Sequence, residues 1–349
     1  MINAAIVGYG RMGSGYGRDY KLLPKIWNPY SLREAIELTP NMKLRAICDL
    51  HTDLMIELPA DIERFTSYKL MIEKTKPDFL AVTTRTQDRA AIAVWALENG
   101  IKLMHLEKPL CSSKMEVHKL QKLFSKYEAK FTYGTIRRYL TPYRFVKYLV
   151  QSGEFGNISK ISINYGREWL FWTHPHSIDL ILFFIGEYKE MTILEIIGDI
   201  PEIEVVGEEI IVVTDPILNS ARMVFDEKIF AEITSDSTST ISVICGDTEF
   251  HIVEDGRKVL QIDEEGNEKI IWDEKAESVP AGYASVLREL SNSSSNLEYT
   301  HLKTAMEDAF KGQIVLFDMC LKLATHRLKG IEHTEEIRFL GKARNGLFA

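Results

Sequence analysis

The first part of the chain alternates short apolar runs with stretches of helical periodicity. The apolar runs predict buried strands at 2–7, 43–48, 79–83, 102–106 and 130–134. The helical patterns lie at 31–38, 67–74, 87–98 and 113–126, after a further helix that opens near Ser14. Strands that alternate with helices indicate a parallel sheet covered on both faces. This part is therefore predicted to be an α/β Rossmann domain with a doubly wound parallel sheet.

From about residue 158 the pattern changes to strands joined by short polar turns. These strands are predicted at 158–165, 191–197, 210–214, 221–225, 229–234, 240–245, 248–253, 259–262 and 269–272. Helical patterns flank them at 142–151, 177–184, 283–291 and 300–328. The pattern predicts a large, mostly antiparallel open sheet in a second α/β domain. We place the domains at 1–125 and 126–349, with an insertion at about 20–40.

The bulk composition is that of a globular protein. Of the 349 residues 45% are hydrophobic and 26% are charged, and the net charge of −8 does not favour nucleic acid or anionic membranes as partners. No apolar run reaches the roughly 18 residues of a membrane span. The four cysteines form no CxxC pair, and the start lacks a basic leader region. We therefore expect a cytoplasmic protein without a metal site.

A glycine-rich turn follows the first predicted strand directly. Glycines at positions 8, 10 and 13 match a turn that bends tightly, approaches a pyrophosphate with its backbone and packs against a strand. The amides of the helix that follows would receive the phosphates. The predicted cofactor contacts in this turn are Gly8, Tyr9, Gly10, Arg11, Met12 and Gly13.

An aspartate ends the second predicted strand. Asp49 would bond the ribose hydroxyls and repel a 2′-phosphate, which favours NAD over NADP, whereas Arg11 in the turn leaves NADP open. Asp49 lies 41 residues after Gly8 (49 − 8), more than the usual gap of roughly 20–30. The segment Trp27–Tyr30 accounts for the excess, and it would cover the cofactor or shape the substrate pocket.

Further motifs give the chain a specific family resemblance. They are Gly8–Gly13, Ala90–Gly100, Glu107-Lys108-Pro109, Gly134, Arg137–Tyr139 with Pro142, Ser152–Ile158, His176-x-x-Asp179 and Gly186. On these motifs the chain resembles the Gfo/Idh/MocA oxidoreductases, the family of glucose–fructose oxidoreductase and inositol dehydrogenase. The resemblance implies a nicotinamide-binding Rossmann domain, a pocket between two domains, and a homodimer or homotetramer joined through the second sheet. It also implies hydride transfer at a secondary alcohol or ketone of a sugar, cyclitol or nucleotide-sugar.

The resemblance places the chemistry on Lys108 and His176. A buried lysine beside nicotinamide can have a lowered pKa and move the proton of the reacting oxygen, while Glu107 holds the cofactor or positions that lysine. Imidazole suits proton transfer near neutral pH, and Asp179, three residues after His176, orients it or binds substrate hydroxyls. Many members carry an aspartate four residues before this histidine. The chain has Trp172 there, and His174 where glycine is common.

Several other side chains are candidates for ligand contacts. Arg138 and Arg167 could bind an anionic substrate group, although surface pairing with acids explains each equally well. Trp172 and His174 are further candidate substrate contacts. Thr84 and Arg85 follow a predicted strand at the sheet edge where cofactor contacts collect.

Two other functions remain open at this stage. One is a non-catalytic NAD(P)-binding regulator on the same fold, which the loss of the aspartate at position 172 favours. The other is a reductase of a non-sugar carbonyl, imine or dihydrodiol, which the aromatic side chains of 165–172 favour. The leading prediction is an NAD(P)-dependent dehydrogenase of sugars, cyclitols or nucleotide-sugars.

Overall fold

The computed structural model describes residues 1–16, 24–276, 282–291, 296–328 and 336–341. Residues 17–23, which include the start of the predicted insertion at about 20–40, lie outside these ranges. The cysteines at positions 48, 111, 245 and 320 are all free and buried. Among the helices of the described residues, none is both long and apolar enough to cross a membrane.

A six-stranded parallel sheet forms the centre of the N-terminal part. Its strands are β1 (Ile2–Val7), β2 (Met42–Cys48), β3 (Glu63–Phe65), β4 (Phe79–Val82), β5 (Leu103–Leu106) and β6 (Lys130–Tyr133). Their order is β3-β2-β1-β4-β5-β6, which reverses direction beside β1 as in a dinucleotide-binding sheet. The ends of β1, β2, β4 and β5 therefore meet at one edge, and the predicted doubly wound sheet is confirmed.

The helices of this part begin where the sequence supplies caps. They are α1 (Arg11–Ser14), α2 (Leu32–Leu38), α3 (Tyr68–Thr75), α4 (Thr86–Glu98) and α5 (Lys114–Lys126). The hydroxyls of Ser31, Ser67 and Ser113 accept bonds from backbone amides in the first turns of α2, α3 and α5. Helix α1 starts earlier than predicted and stops after one turn, because Gly15 adopts a left-handed conformation with φ of 87°.

A second, mostly antiparallel sheet follows, as predicted. Its chain segment contains β7 (Ile158–Asn164), β8 (Glu168–Trp169), β9 (Met191–Asp199), β10 (Ile203–Val206), β11 (Glu209–Val212), β12 (Ile217–Phe225), β13 (Ile229–Ile233), β14 (Thr240–Cys245), β15 (Thr248–Val253), β16 (Lys258–Ile262) and β17 (Glu268–Asp273). Nine of these strands form the large sheet, in which only the β7–β13 pairing is parallel. Strands β10 and β11 instead join β18 (Glu336–Phe339) in a small sheet.

Four further helices either pack on the large sheet or connect this part of the chain to the first sheet. They are α6 (Thr141–Gln151), α7 (His174–Ile185), α8 (Gly282–Ser291) and α9 (Asn296–Arg327). Helices α6 and α7 pack on the large sheet, whereas α8 packs on α2, and α9 packs on β6, α5 and α7. Val286 and Leu287 of α8 share a core with Leu32 and Ile36 of α2. The C-terminal helices thus return to the Rossmann sheet, and the proposed division at residue 125 stays a prediction.

Candidate active site

A cavity of about 330 Å³, its open mouth included, lies where the glycine turn meets the second part of the chain. Its lining combines the predicted chemical residues with aromatic side chains that are distant in sequence. The lining residues are Met12, Trp27, Tyr30, Glu107, Lys108, Gly134, Ile136, His176 and Tyr283. The cavity therefore brings Lys108 and His176 to one place beside the glycine turn.

The glycine turn has the shape that a pyrophosphate requires. Gly8 has φ of +92°, and a Cβ there would lie 2.8 Å from the carbonyl carbon of Thr83. A Cβ on Gly13 would collide with the carbonyl oxygen of Gly8, to which the Thr83 hydroxyl donates. Larger residues would push the turn away from the sheet, so the cradle fits the pyrophosphate of a dinucleotide.

Asp49 lies beside this turn despite its distance in sequence. Its carboxylate accepts hydrogen bonds from the backbone amides of Tyr9 at 2.5 Å and His51 at 2.8 Å. The Tyr9 side chain is buried, and its hydroxyl accepts a bond from Arg33 Nη1 at 2.9 Å. The ends of β1 and β2 are neighbours, so the acidic group stands where the ribose of a dinucleotide would lie.

Glu107 is a buried, fully engaged carboxylate at the end of β5. It accepts a hydrogen bond from the Tyr283 hydroxyl at 2.5 Å and another from the Lys108 amide at 3.2 Å, and His105 Nε2 lies 3.6 Å away. Burial alone would raise the pKa of Glu107, but interactions with His105, Tyr283 and Lys108 lower it to about 2. A Cβ on Gly134 would collide with this carboxylate, which explains the glycine.

Lys108 is held against Trp172, the residue that replaces the aspartate of many family members. Its Nζ donates to the Trp172 carbonyl at 2.6 Å and lies 3.6 Å from the centroid of the indole ring. Burial is the main cause that lowers the pKa of Lys108 to about 7. The carboxylates of Glu107 and Asp215 oppose this shift, and the cations Arg89 and Arg137 add to it more weakly. Lys108 can therefore donate or accept a proton near neutral pH.

His176 stands in the first turn of α7, next to Pro175. Its Nδ1 is buried, and no described residue forms a hydrogen bond with it. Burial lowers the pKa of His176 well below its ordinary value, and the positive charges of Arg137 and Lys108 act in the same direction. His176 is therefore a neutral imidazole at pH 7, able to accept a hydrogen bond from a hydroxyl group or donate one to it.

Asp179 and Arg138, both predicted to contact substrate, form a hydrogen-bonded ion pair with each other. Arg138 Nε donates to Asp179 at 3.0 Å, and Arg138 Nη2 donates to Asp308 of α9 at 2.9 Å. All three residues are buried, and burial raises the pKa of Asp179 to about 6. This network joins α7, α9 and the turn Ile136–Tyr139 behind the cavity.

The remaining candidates are spread over several environments. His174 is buried with its ring 3.0 Å from the Ser177 hydroxyl, and Arg167 is exposed and donates to Asn219 at 3.0 Å. Thr84 and Arg85 lie at the start of α4, beside the glycine turn. The buried Arg89 donates to the carbonyls of Thr84 and Pro109 and so ties this strand end to the Lys108 loop.

The cavity also contains residues that the sequence motifs do not reveal. Tyr283 comes from α8, and its bond to Glu107 spans 176 positions of the chain. Trp27 and Tyr30 come from the predicted insertion, where only their position after the first helix suggested a role at the pocket. Within the described residues, no cluster of three or more His, Cys, Asp or Glu could hold a metal ion.

Comparison with known proteins agrees with this geometry. Residues 2–135 match the GFO_IDH_MocA family, described as an oxidoreductase family with an NAD-binding Rossmann fold. No curated protein sequence matches the chain. The family resemblance is thereby confirmed for residues 2–135, which match the NAD-binding Rossmann domain of this oxidoreductase family.

Solved structures extend the likeness over nearly the whole chain. A dehydrogenase from Chromobacterium violaceum aligns with a TM-score of 0.70 and 15% identity, covering 94% of this chain and 96% of its own. UDP-N-acetylglucosamine 3-dehydrogenase from Acidithiobacillus ferrooxidans aligns with a TM-score of 0.63 and 13% identity, covering 92% of this chain and 97% of its own. An Agrobacterium radiobacter oxidoreductase was solved in complex with NAD+, L-tartaric acid and magnesium. It aligns with a TM-score of 0.63 and 13% identity, covering 93% of this chain and 97% of its own. Both parts of the fold are shared with these proteins.

Proposed function

We propose that this chain, whose residues 2–135 belong to the Gfo/Idh/MocA oxidoreductase family, is an NAD(P)-dependent dehydrogenase of cyclic alcohols. The nicotinamide, when bound, exchanges a hydride with the carbon of a secondary alcohol or ketone on a sugar, cyclitol or nucleotide-sugar. The observation that carries this proposal is the meeting of Lys108 and His176 in one cavity beside Met12 of the glycine turn.

The two side chains divide the handling of the proton. Lys108, with a pKa of about 7, holds the reacting oxygen through Nζ and donates the proton in reduction or accepts it in oxidation. Neutral His176 accepts a hydrogen bond from the same hydroxyl or donates one to it. Glu107 stays ionised and, bound to Tyr283 and the Lys108 amide, fixes the loop that carries the lysine.

NAD is the favoured cofactor in this proposal. The Asp49 carboxylate stands at the ribose position, where a 2′-phosphate would meet a like charge. NADP stays possible because Arg11 lies in the turn and Arg33 contacts Tyr9.

The proposed substrate class has support from a solved relative. One of the aligned structures is a UDP-N-acetylglucosamine 3-dehydrogenase, whose named substrate is a nucleotide-sugar. The cavity is small and is lined by the aromatic side chains of Trp27, Tyr30 and Tyr283, which suits a single ring at the reacting end.

The test begins with fluorescence titration of the protein with NADH and NADPH. Absorbance at 340 nm is then followed with pyranoses, cyclitols, nucleotide-sugars, hydroxy acids and acyclic polyols. Turnover of a pyranose, cyclitol or nucleotide-sugar supports the proposal, whereas turnover of hydroxy acids or acyclic polyols alone would replace its substrate class. Tight binding without turnover would instead favour a non-catalytic regulator, and failure to bind either cofactor would contradict the proposal entirely.

A further inference from the structure

Trp27 is a cavity residue that is held in place by contacts with the second part of the chain. It belongs to the short turn Lys25–Trp27, and its indole Nε1 donates to the carbonyl of Asp255 at 3.4 Å. Asp255 lies in the turn between β15 and β16, on the large sheet. The insertion in the Rossmann part is thus fastened to the second sheet beside the cavity.

The Arg137 guanidinium stacks on one face of the Trp27 indole. Arg137 Cζ lies 4.6 Å from the centroid of the Trp27 ring and 5.1 Å from that of Tyr165. Arg137 Nε and Nη2 both donate to Asp255 at 2.9 Å. Arg137 is buried, so the ion pair and the stacked ring hold one another in a single arrangement.

Two glycines let the surrounding backbone come this close. A Cβ on Gly256 would lie 2.9 Å from Ile26 Cδ1, in the residue next to Trp27. A Cβ on Gly282, at the start of α8, would collide with the Trp27 carbonyl. Tyr283 then donates its amide to Pro29 at 3.4 Å and its hydroxyl to Glu107. The insertion is therefore held on two sides, and its aromatic rings are pre-organised.

We propose that Trp27, backed by Arg137 and Asp255, is a specificity-determining platform on which the ring of a cyclic polyhydroxylated substrate lies. Arg137 covers one face of the indole, and Trp27 also lines the cavity, so the substrate ring would meet the part of the indole that borders the cavity. A pyranose or cyclitol has an apolar face of C–H groups that matches a flat aromatic surface, and an acyclic polyol does not. This inference rests on the proposed function and narrows its substrate class.

The positions of the other lining residues separate this platform from the cofactor contacts. Met12, Glu107 and Gly134 lie at the Rossmann sheet edge, where the glycine turn and Asp49 would direct a dinucleotide. Trp27 is anchored instead to Asp255 of the second sheet. A pre-fixed aromatic side chain loses little conformational entropy when it binds a ligand. Its removal should therefore weaken substrate binding while leaving cofactor binding intact.

The main test compares Trp27→Leu and Trp27→Phe with the wild-type enzyme on the best ring substrate of the panel. Trp27→Leu is expected to raise KM about tenfold and to change kcat by less than about twofold, because the contact is made equally in the ground and transition states. Trp27→Phe should recover most of the loss. The preference for ring substrates over acyclic polyols should fall with Trp27→Leu.

The second test addresses the residues that support the ring. Asp255→Asn removes the negative charge that pairs with Arg137 and so loosens the group stacked on Trp27. It should raise KM about threefold without altering the dissociation constant of NADH. Glu254→Gln is the matched control, since Glu254 lies in the same turn and pairs with the surface residue Lys258. Trp95→Leu, on helix α4, controls for the loss of a tryptophan. Melting temperatures show whether each variant is folded.

The possible results separate this inference from the proposed function. An unchanged KM in folded Trp27→Leu with normal turnover would overturn the platform alone. A weakened NADH dissociation constant with unchanged KM would assign Trp27 to the cofactor and also overturn it. Absence of turnover of every ring compound by the wild-type enzyme would remove the proposed function and this inference with it.

Discussion

At the scale of single residues, the proposed chemistry rests first on Lys108. Lys108→Ala removes the group placed to move the proton, so turnover should fall by about 10²- to 10⁴-fold. NADH affinity should stay within about tenfold of wild type, since the glycine turn and Asp49 are untouched. Steady-state kinetics and NADH titration measure the two quantities. Lys102→Ala, an exposed lysine before the same strand, is the control.

Full activity of Lys108→Ala would remove Lys108 from the mechanism. Loss of NADH binding together with turnover would instead assign the lysine to the cofactor site. Either result would leave His176 as the remaining candidate for proton transfer in the cavity.

The lowered pKa of Lys108 predicts a pH dependence whose direction differs between the two reactions. Ketone reduction needs the protonated amine, so its rate should be constant below pH 7 and fall as the pH rises through about 7. Alcohol oxidation needs the neutral amine, so its rate should rise over the same interval. Profiles of kcat/KM against pH in both directions measure this. A change in kcat/KM that occurs only near the ordinary pKa of a lysine side chain would contradict the prediction.

A substitution at Trp172 should change the pH at which the reduction rate falls. A carboxylate placed beside Nζ would favour the charged amine, so Trp172→Asp should shift the reduction profile to higher pH by about one unit. Trp172→Phe retains an aromatic ring and the backbone carbonyl, so its profile should stay near that of wild type. Identical profiles for all three proteins would show that the side chain at position 172 does not influence Lys108.

The candidate site residues that the sequence could indicate are those with a local signal. Gly8, Gly13, Lys108 and His176 lie in short motifs, and the structure brings all of them to the cavity or the turn beside it. Tyr283 belongs to no motif. It reaches Glu107 only because α8 folds back onto the Rossmann sheet, and such long-range packing is not readable from periodicity.

At the scale of elements, the proposed cofactor contacts lie at the ends of strands. Asp49→Ala removes the carboxylate at the end of β2 without disturbing the strand, and it should weaken NAD binding more than NADP binding. The ratio of the two dissociation constants, measured by fluorescence titration, reports the change. Asp53→Ala, on the neighbouring turn, should leave the ratio unaltered. An unchanged ratio in Asp49→Ala would remove Asp49 from the ribose site.

The network around Arg138 links two helices, so its loss should appear as instability. Arg138→Met leaves Asp179 and Asp308 buried without their partner, which should cost about 3–5 kcal/mol in the free energy of unfolding. Arg222→Met breaks an exposed pair with Glu195 and should cost about 0–1 kcal/mol. Urea denaturation measures both. A folded, equally stable Arg138→Met with a raised KM would restore Arg138 as a substrate contact.

Long periodic elements followed from the sequence more reliably than short ones. Helix α5 and strands β14 and β15 match their predicted bounds closely, because capping residues and alternation mark their ends. The two-residue β8 and the strand β18 carry too little pattern to be recognised alone. Their pairing partners, β12 and β11, are distant in sequence and fix them through tertiary contacts.

At the scale of the whole molecule, the large sheet exposes apolar side chains away from its helices. Leu194 and Ile197 of β9, Phe230 of β13 and Ile270 of β17 are each about half exposed. Isolated exposed apolar residues are common, but several on one open sheet suit an interface. Together with the family resemblance, this supports the prediction of a homodimer or homotetramer joined through the sheet.

Phe230→Glu tests that assembly directly. An isologous interface places the same patch on both subunits, so one substitution introduces two buried carboxylates and should favour the monomer. Size-exclusion chromatography with light scattering over a range of concentrations measures the mass. Leu70→Glu, an equally exposed apolar position on α3, should leave the assembly intact. A wild-type monomer at every concentration, or an unaffected oligomer in Phe230→Glu, would contradict an interface at this face.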